Sequence, residues 1–117
     1  MHVALDTMVD ILKAAAESSR LRILALLSRG DLTVSDLTEI LGQSQPRVSR
    51  HLKLLLEAGL IGRYQEGSWA FFRLSASDAA RDFVLRLVSG IRDADPQARR
   101  DLEPPAAVKH RPPGPAP

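Results

Sequence analysis

Pro46 constrains this chain more than any other residue. It sits in "GQSQPRVSRHLKLLLEAGLI", residues 42–61, between Gly42 and Gly59. A proline gives no N–H and fixes its own φ, so a helix tolerates it in the first turn and is broken by it later. It also pushes the preceding residue away from the α region, which makes Gln45 the expected N-cap. A helix is therefore predicted from about Pro46 to Ala58, stopped by Gly59.

At about 100° per residue, Val48, Leu52, Leu55 and Leu56 of that helix fall on one side. Arg50 points nearly opposite, flanked by Arg47 and Lys53, with Gln45 and Ser49 near the helix start. One side is made for a core and the other for an anionic, hydrogen-bonding partner.

The rest of the chain supplies a frame for this helix. Leu5, Met8, Val9 and Leu12 recur at i, i+3, i+4, i+7 and predict a first helix ending near Glu17. "SSRLRILALLSRG" predicts a second, capped by Ser18 or Ser19 and stopped by Gly30. Thr33 and Asp36 stand at capping-box spacing before a short third helix that closes at Gly42.

After Gly59, "LIGRYQ" and "WAFFRL" surround "EGS" and predict a hairpin with Gly67 in its turn. Ser77 can cap a fifth helix in which Ala80, Phe83, Val84, Leu87, Val88 and Ile91 keep helical spacing. Asp95 and Pro96 can open a brief sixth helix, after which "PPAAVKHRPPGPAP" abandons periodicity and is expected to be disordered.

The expected division is a folded domain over 1–92 and a C-terminal extension over 93–117. The fold class is mainly α with a small β-hairpin, a winged helix-turn-helix of about five to six helices plus the wing. A core of this size is marginal in a monomer, so a homodimer is expected.

Composition removes whole classes of function. Without cysteine there is no disulfide, no thiolate nucleophile and no sulfur-based metal site. No apolar run approaches membrane-spanning length, and "MHVALDTMVDILKAAAE" lacks the basic start of a secretory signal, so a cytoplasmic protein is expected. The net charge of +2 tilts only mildly toward an anionic partner. No P-loop, dinucleotide fingerprint, nucleophile elbow or zinc-protease motif is present, so no enzyme is expected and no cofactor is assigned.

Two helices joined by a tight turn, the second followed at once by a hairpin, outline a helix-turn-helix with a wing for double-stranded DNA. Arginine can bond guanine bidentately, Gln can bond adenine and Ser several edges, so Gln45, Arg47, Ser49 and Arg50 are the candidate base readers. Ser44, His51, Lys53, Arg63 and Arg73 are the candidates for the DNA backbone. His51 lies about 60° from Val48, at the flank of the buried stripe, where it is expected to bond the backbone or a phosphate. It has no ligand partner at i+4 for a metal, and Ser49 is two residues away and does not face it.

The string from Leu12 to Leu74, with "SQPRVSRHLKLLLEAGLI" followed by "EGSWAFFRL", resembles the ArsR/SmtB family of winged-helix bacterial repressors. It is also similar to the N-terminal regulatory half of some methyltransferase fusions. The resemblance implies a homodimer joined through the first and fifth helices, with Leu5, Met8, Leu12, Phe83, Leu87, Val88 and Ile91 at the interface. It further implies repression at an imperfect palindrome until an inducer releases the protein.

The departures are equally informative. Arsenic and cadmium sensors of this type open the third helix with a segment like "ELCVCDL", where this chain has "DLTVSDL" with Thr33 and Ser35. Hydroxyls do not replace thiolates as soft-metal ligands. The fifth helix, where other members bind zinc or nickel, offers Asp78 and Asp82 without histidine, and His2 and His110 lie at the chain ends. No metal ligand is assigned, and the expected inducer is a small molecule of unknown class or none. The reading from another class is an interaction or dimerisation module that has lost DNA binding and recruits a partner through its proline-rich tail.

Overall fold

The computed structural model describes residues 1–91 and 95–102. The chain runs α1 (Leu5–Ala15), α2 (Ser18–Leu27), β1 (Leu32–Thr33), α3 (Val34–Leu41), α4 (Gln45–Glu57), β2 (Ile61–Glu66), β3 (Trp69–Leu74), α5 (Asp78–Val88) and α6 (Pro96–Leu102). The expected winged helix-turn-helix is present. The proline-rich stretch from 103 onward, expected to be disordered, lies outside the described residues.

Helix starts follow side chains that can reach free N–H groups. The Thr33 hydroxyl accepts from the Asp36 N–H at 3.1 Å and the Asp36 carboxylate accepts from the Thr33 N–H at 3.0 Å, completing the capping box predicted for α3. Ser77 caps α5 as expected.

Two caps differ from expectation. Ser44, not Gln45, caps α4, because its short hydroxyl reaches back to the Arg47 N–H; Pro46 then falls one position further into the first turn, where its missing N–H is still not needed. At α2 the cap is Glu17, whose carboxylate accepts from the Arg20 N–H at 3.0 Å. Ser19 is instead buried, its hydroxyl accepting from the Gln43 amide at 2.7 Å.

The end of α4 sets the start of the wing. Gly59 has φ +75°, a left-handed conformation that side-chain-bearing residues avoid. Its N–H bonds the Leu56 carbonyl at 3.0 Å while the Leu60 N–H bonds the Leu55 carbonyl at 3.1 Å, the pair of bonds that defines a Schellman motif. Leu60 is driven into the core with no exposure, and β2 begins at the next residue.

The wing is a three-stranded antiparallel sheet in the order β1-β3-β2. The predicted hairpin closes through the two residues between Glu66 and Trp69, with Gly67 at φ +60°. The additional strand β1 pairs Leu32 with Phe72 and Thr33 with Phe71. Two residues are too few to show an alternating pattern, which is why periodicity did not reveal it.

Val48, Leu52 and Leu55 of α4 meet Ile23 and Leu24 of α2 and Leu37 of α3 in one core cluster, all six essentially without exposure. At about 1.5–3 kcal/mol for each large apolar side chain, this stripe fixes the rotation of α4 and so decides which residues face outward. Ala80, Val84 and Val88 attach α5 to the same fold. That helix ends at Val88, so Ile91, expected on it, instead lies beyond the Ser89–Gly90 turn, half-buried.

No helix among the described residues is long and apolar enough to cross a membrane.

Candidate nucleic-acid interface

With its apolar stripe turned inward, α4 carries Gln45, Arg47, Arg50 and Lys53 exposed on the outside, after the exposed cap Ser44. Ser49 is half-exposed and its hydroxyl accepts from the Gln45 amide at 2.9 Å. Two candidate base readers therefore hold each other one turn apart, leaving the Gln45 carbonyl and the Ser49 hydroxyl proton for a partner.

His51 faces a different way. Its Nδ1 lies 3.1 Å from Nη1 of Arg20, whose Nε donates to the Ala14 carbonyl near the end of α1. Burial pushes the imidazole below the ordinary histidine range; the Arg20, Arg47 and Arg50 cations reinforce this, against the opposing Glu17 carboxylate. The neutral ring accepts from Arg20 at Nδ1, so its proton sits on Nε2. The separation of 3.9 Å to Glu17 is accordingly not an ion pair at neutral pH. Within the protomer, the partner of His51 is thus a guanidinium from α2 rather than a backbone group.

In the wing, Arg63 opposes Phe72 and Arg73 opposes Gly62, so strand alternation puts the two arginines on opposite faces of the hairpin. Both are exposed. Arg73 sits 4.8 Å from the centre of the Tyr64 ring, which stacks on Phe71. The Tyr64 hydroxyl donates to Asp31 at 2.7 Å, a bond that raises the phenol's pKa. Tyr64, Asp31 and Arg20 were not candidate site residues, because each acts through a partner more than thirty residues away in sequence or across a strand pair.

A helix with an outward cationic face, placed between a glycine turn and a wing, is what comparison with known proteins then places in a family. A family model for "bacterial regulatory protein, arsR family" matches residues 17–62. The transcriptional repressor SdpR of Bacillus subtilis is 33% identical over 88 residues, covering 75% of this chain and 97% of the relative. The chain belongs to the ArsR family.

Within this family, the arsenical resistance operon repressor of Escherichia coli is 47% identical over 68 residues, covering 57% of this chain and 58% of that protein. This chain spans roughly three-fifths of the arsenical repressors it matches, 58% to 66% of their length. Among solved structures, a homodimeric winged helix-turn-helix DNA-binding domain of Mycobacterium bovis superposes with a TM-score of 0.64 at 32% identity, over 74% of this chain and 80% of that one. The curated relatives this chain matches are named as transcriptional repressors and regulators.

Proposed function

We propose that this ArsR-family chain is a dimeric, sequence-specific repressor that places the first turns of α4 in the major groove. The observation carrying the reading is the division of α4 into a stripe buried to 1% exposure or less and an outer face bearing Gln45, Arg47, Arg50 and Lys53. Gln45, Arg47, Ser49 and Arg50 read base edges; Ser44, His51 through Nε2, Lys53, Arg63 and Arg73 hold phosphates. Wing arginines on opposite faces suit contacts to the two walls of a groove better than two contacts to one strand.

The dimer is formed by α1 and α5. Leu5 is 80% exposed and Leu12 44% on α1, and Leu85 is 41% exposed on α5, so each helix offers apolar side chains that the protomer leaves uncovered. Met8, Phe83, Leu87 and Ile91 are half-buried, the last three packed partly on the protomer's own core, whereas Val88 is buried within the protomer. Two-fold symmetry then sets the half-sites of an imperfect palindrome about one helical turn, roughly 10 bp, apart.

The sensing chemistry differs from that of a thiolate metal site. At the start of α3, the Thr33 hydroxyl is engaged in the capping box and Ser35 is exposed. On α5, the Asp82 carboxylate lies 3.2 Å from Arg86. These residues do not fit a soft metal, and among the described residues no three His, Asp or Glu side chains gather closely enough to hold a metal. The inducer proposed for this protein is a small molecule of unknown class, or there is none.

Gel retardation of the DNA upstream of the protein's own gene, at low salt and micromolar protein, tests the reading. Specific retardation that survives excess unrelated duplex is expected. Absence of any retardation overturns it and favours the interaction-module alternative.

A further inference from the structure

Away from α4, one cavity of about 600 Å³ lies between α2, α5 and α6. Leu21, Ala25, Leu26, Leu85 and Val88 form its apolar wall. Its size falls within the range that accommodates a small ligand.

The central polar feature of this cavity is a part-buried ion pair, in a lining that also includes Arg29, Asp95 and the serines Ser18, Ser28 and Ser89. Arg22 of α2 donates from Nε and Nη2 to the two carboxylate oxygens of Asp101 on α6, at 2.8 and 2.9 Å. Gln97 adds a bond to Asp101 at 2.9 Å, and the Asp101 side chain is 7% exposed. The guanidinium presents its planar fork to the cavity, the geometry that recognises any carboxylate.

Two facts make Asp101 exchangeable. It belongs to a helix of only seven residues, "PQARRDL", whose sequence is mostly polar and offers just Ala98 and Leu102 as an apolar pair one turn apart. With the Arg22 side chain 21% exposed, the pair is also weakly stabilising on balance, because solvent screening at the arginine and desolvation of the carboxylate offset most of its attraction. An incoming carboxylate that takes the Arg22 fork keeps the guanidinium paired and returns Asp101 to water.

We infer that the cavity between α2, α5 and α6 is a binding site for an apolar monocarboxylic acid, whose carboxylate replaces Asp101 on Arg22 and whose body fills the apolar wall. Asp101 acts as an internal competitor that occupies Arg22 in the empty site and holds α6 docked. Because Leu85 belongs both to this wall and to the proposed dimer face, occupancy reaches the dimer. That consequence rests on the repressor reading; the binding site itself does not.

Isothermal titration calorimetry of the full chain with decanoate, phenylacetate and decanol tests the site without DNA. Binding of either acid at least about tenfold tighter than decanol is expected, and the tighter acid distinguishes a linear from an aromatic ligand. Asp101→Asn removes the internal competitor and is expected to tighten acid binding by about tenfold or more, with decanol unchanged. Arg22→Gln abolishes the preference for acid over alcohol. A silent titration of both wild type and Asp101→Asn at millimolar ligand overturns the proposal, as does equal binding of acid and alcohol. These outcomes leave the gel-retardation result untouched, so failure of the site and failure of the DNA reading are separable.

Discussion

The imidazole of His51 accepts a hydrogen bond at Nδ1 from the Arg20 guanidinium, 3.1 Å away, and this joins α4 to α2. The same arginine holds the Ala14 carbonyl, so α1, α2 and α4 meet at one side chain. The proposed DNA-reading helix α4 and the proposed dimer helix α1 thereby share a polar support.

That contact makes stability depend on pH. The unfolded histidine titrates near 6.5 and the folded one lower, so below about pH 6.5 the unfolded chain binds the extra proton. The contribution of neutral His51 is complete above pH 6.5 and is lost as pH falls through the folded pKa. Urea unfolding between pH 5 and 8 should show this decline in wild type. His51→Asn, whose amide oxygen can accept from Arg20 without titrating, should flatten it.

Glu17 adds a second loss at lower pH. Burial tends to raise its carboxyl, but bonds from the Arg20 and Ser19 N–H groups outweigh burial and hold it below the ordinary 4.5. Its contribution is present above pH 4.5 and disappears as the folded carboxylate is protonated. Glu17→Gln should leave stability near pH 7 lower than wild type and remove this acidic limb of the unfolding profile.

The two classes of arginine separate in binding assays. Arg50→Ala should weaken operator binding by about 1–3 kcal/mol and relax base preference at one position of each half-site. Arg63→Ala should weaken all sequences alike and reduce the salt slope by about 1 per protomer. Fluorescence anisotropy on operator and scrambled duplexes over a salt series distinguishes the two.

The dimer face predicts a variant that folds but does not assemble. Leu5 is exposed in the protomer, so Leu5→Glu leaves the core intact. Sedimentation velocity should show a shift toward monomer with unchanged helix content by circular dichroism, and operator affinity should fall with it. Unchanged sedimentation would remove Leu5 from the interface.

The capping box gives a test confined to stability. Thr33→Val keeps the shape of a buried side chain but loses the hydroxyl that accepts from Asp36, and should cost about 0.5–2 kcal/mol in thermal or urea unfolding. A loss within error would mean that the Thr33 hydroxyl contributes little to holding α3.

Much of this architecture was legible because it is written in local chemistry. Pro46, Gly59 and the stripe Val48–Leu52–Leu55 define α4 within fourteen positions, and its outward cations follow from the same wheel. The caps at Glu17 and Ser44 were misplaced by one or two residues, since several polar side chains compete for the same free N–H groups and tertiary contacts decide among them. Ser19 was taken up by Gln43, which no local rule reveals. The Arg22–Asp101 pair joins residues separated by 79 positions, and neither charge differs locally from an ordinary solvated one. The opposite facing of Arg63 and Arg73 needed the strand register, and the role of His51 needed a guanidinium from another helix.

The Schellman turn at Gly59 leaves no slack between α4 and β2. With Leu60 anchored in the core immediately after it, the helix and the wing are coupled like two arms of one lever. In the proposed complex, a change in how α4 settles among the bases is expected to swing Arg63 and Arg73 along the DNA backbone. An operator altered under the helix is expected to lose phosphate contacts at a distance as well as the base contacts it lacks.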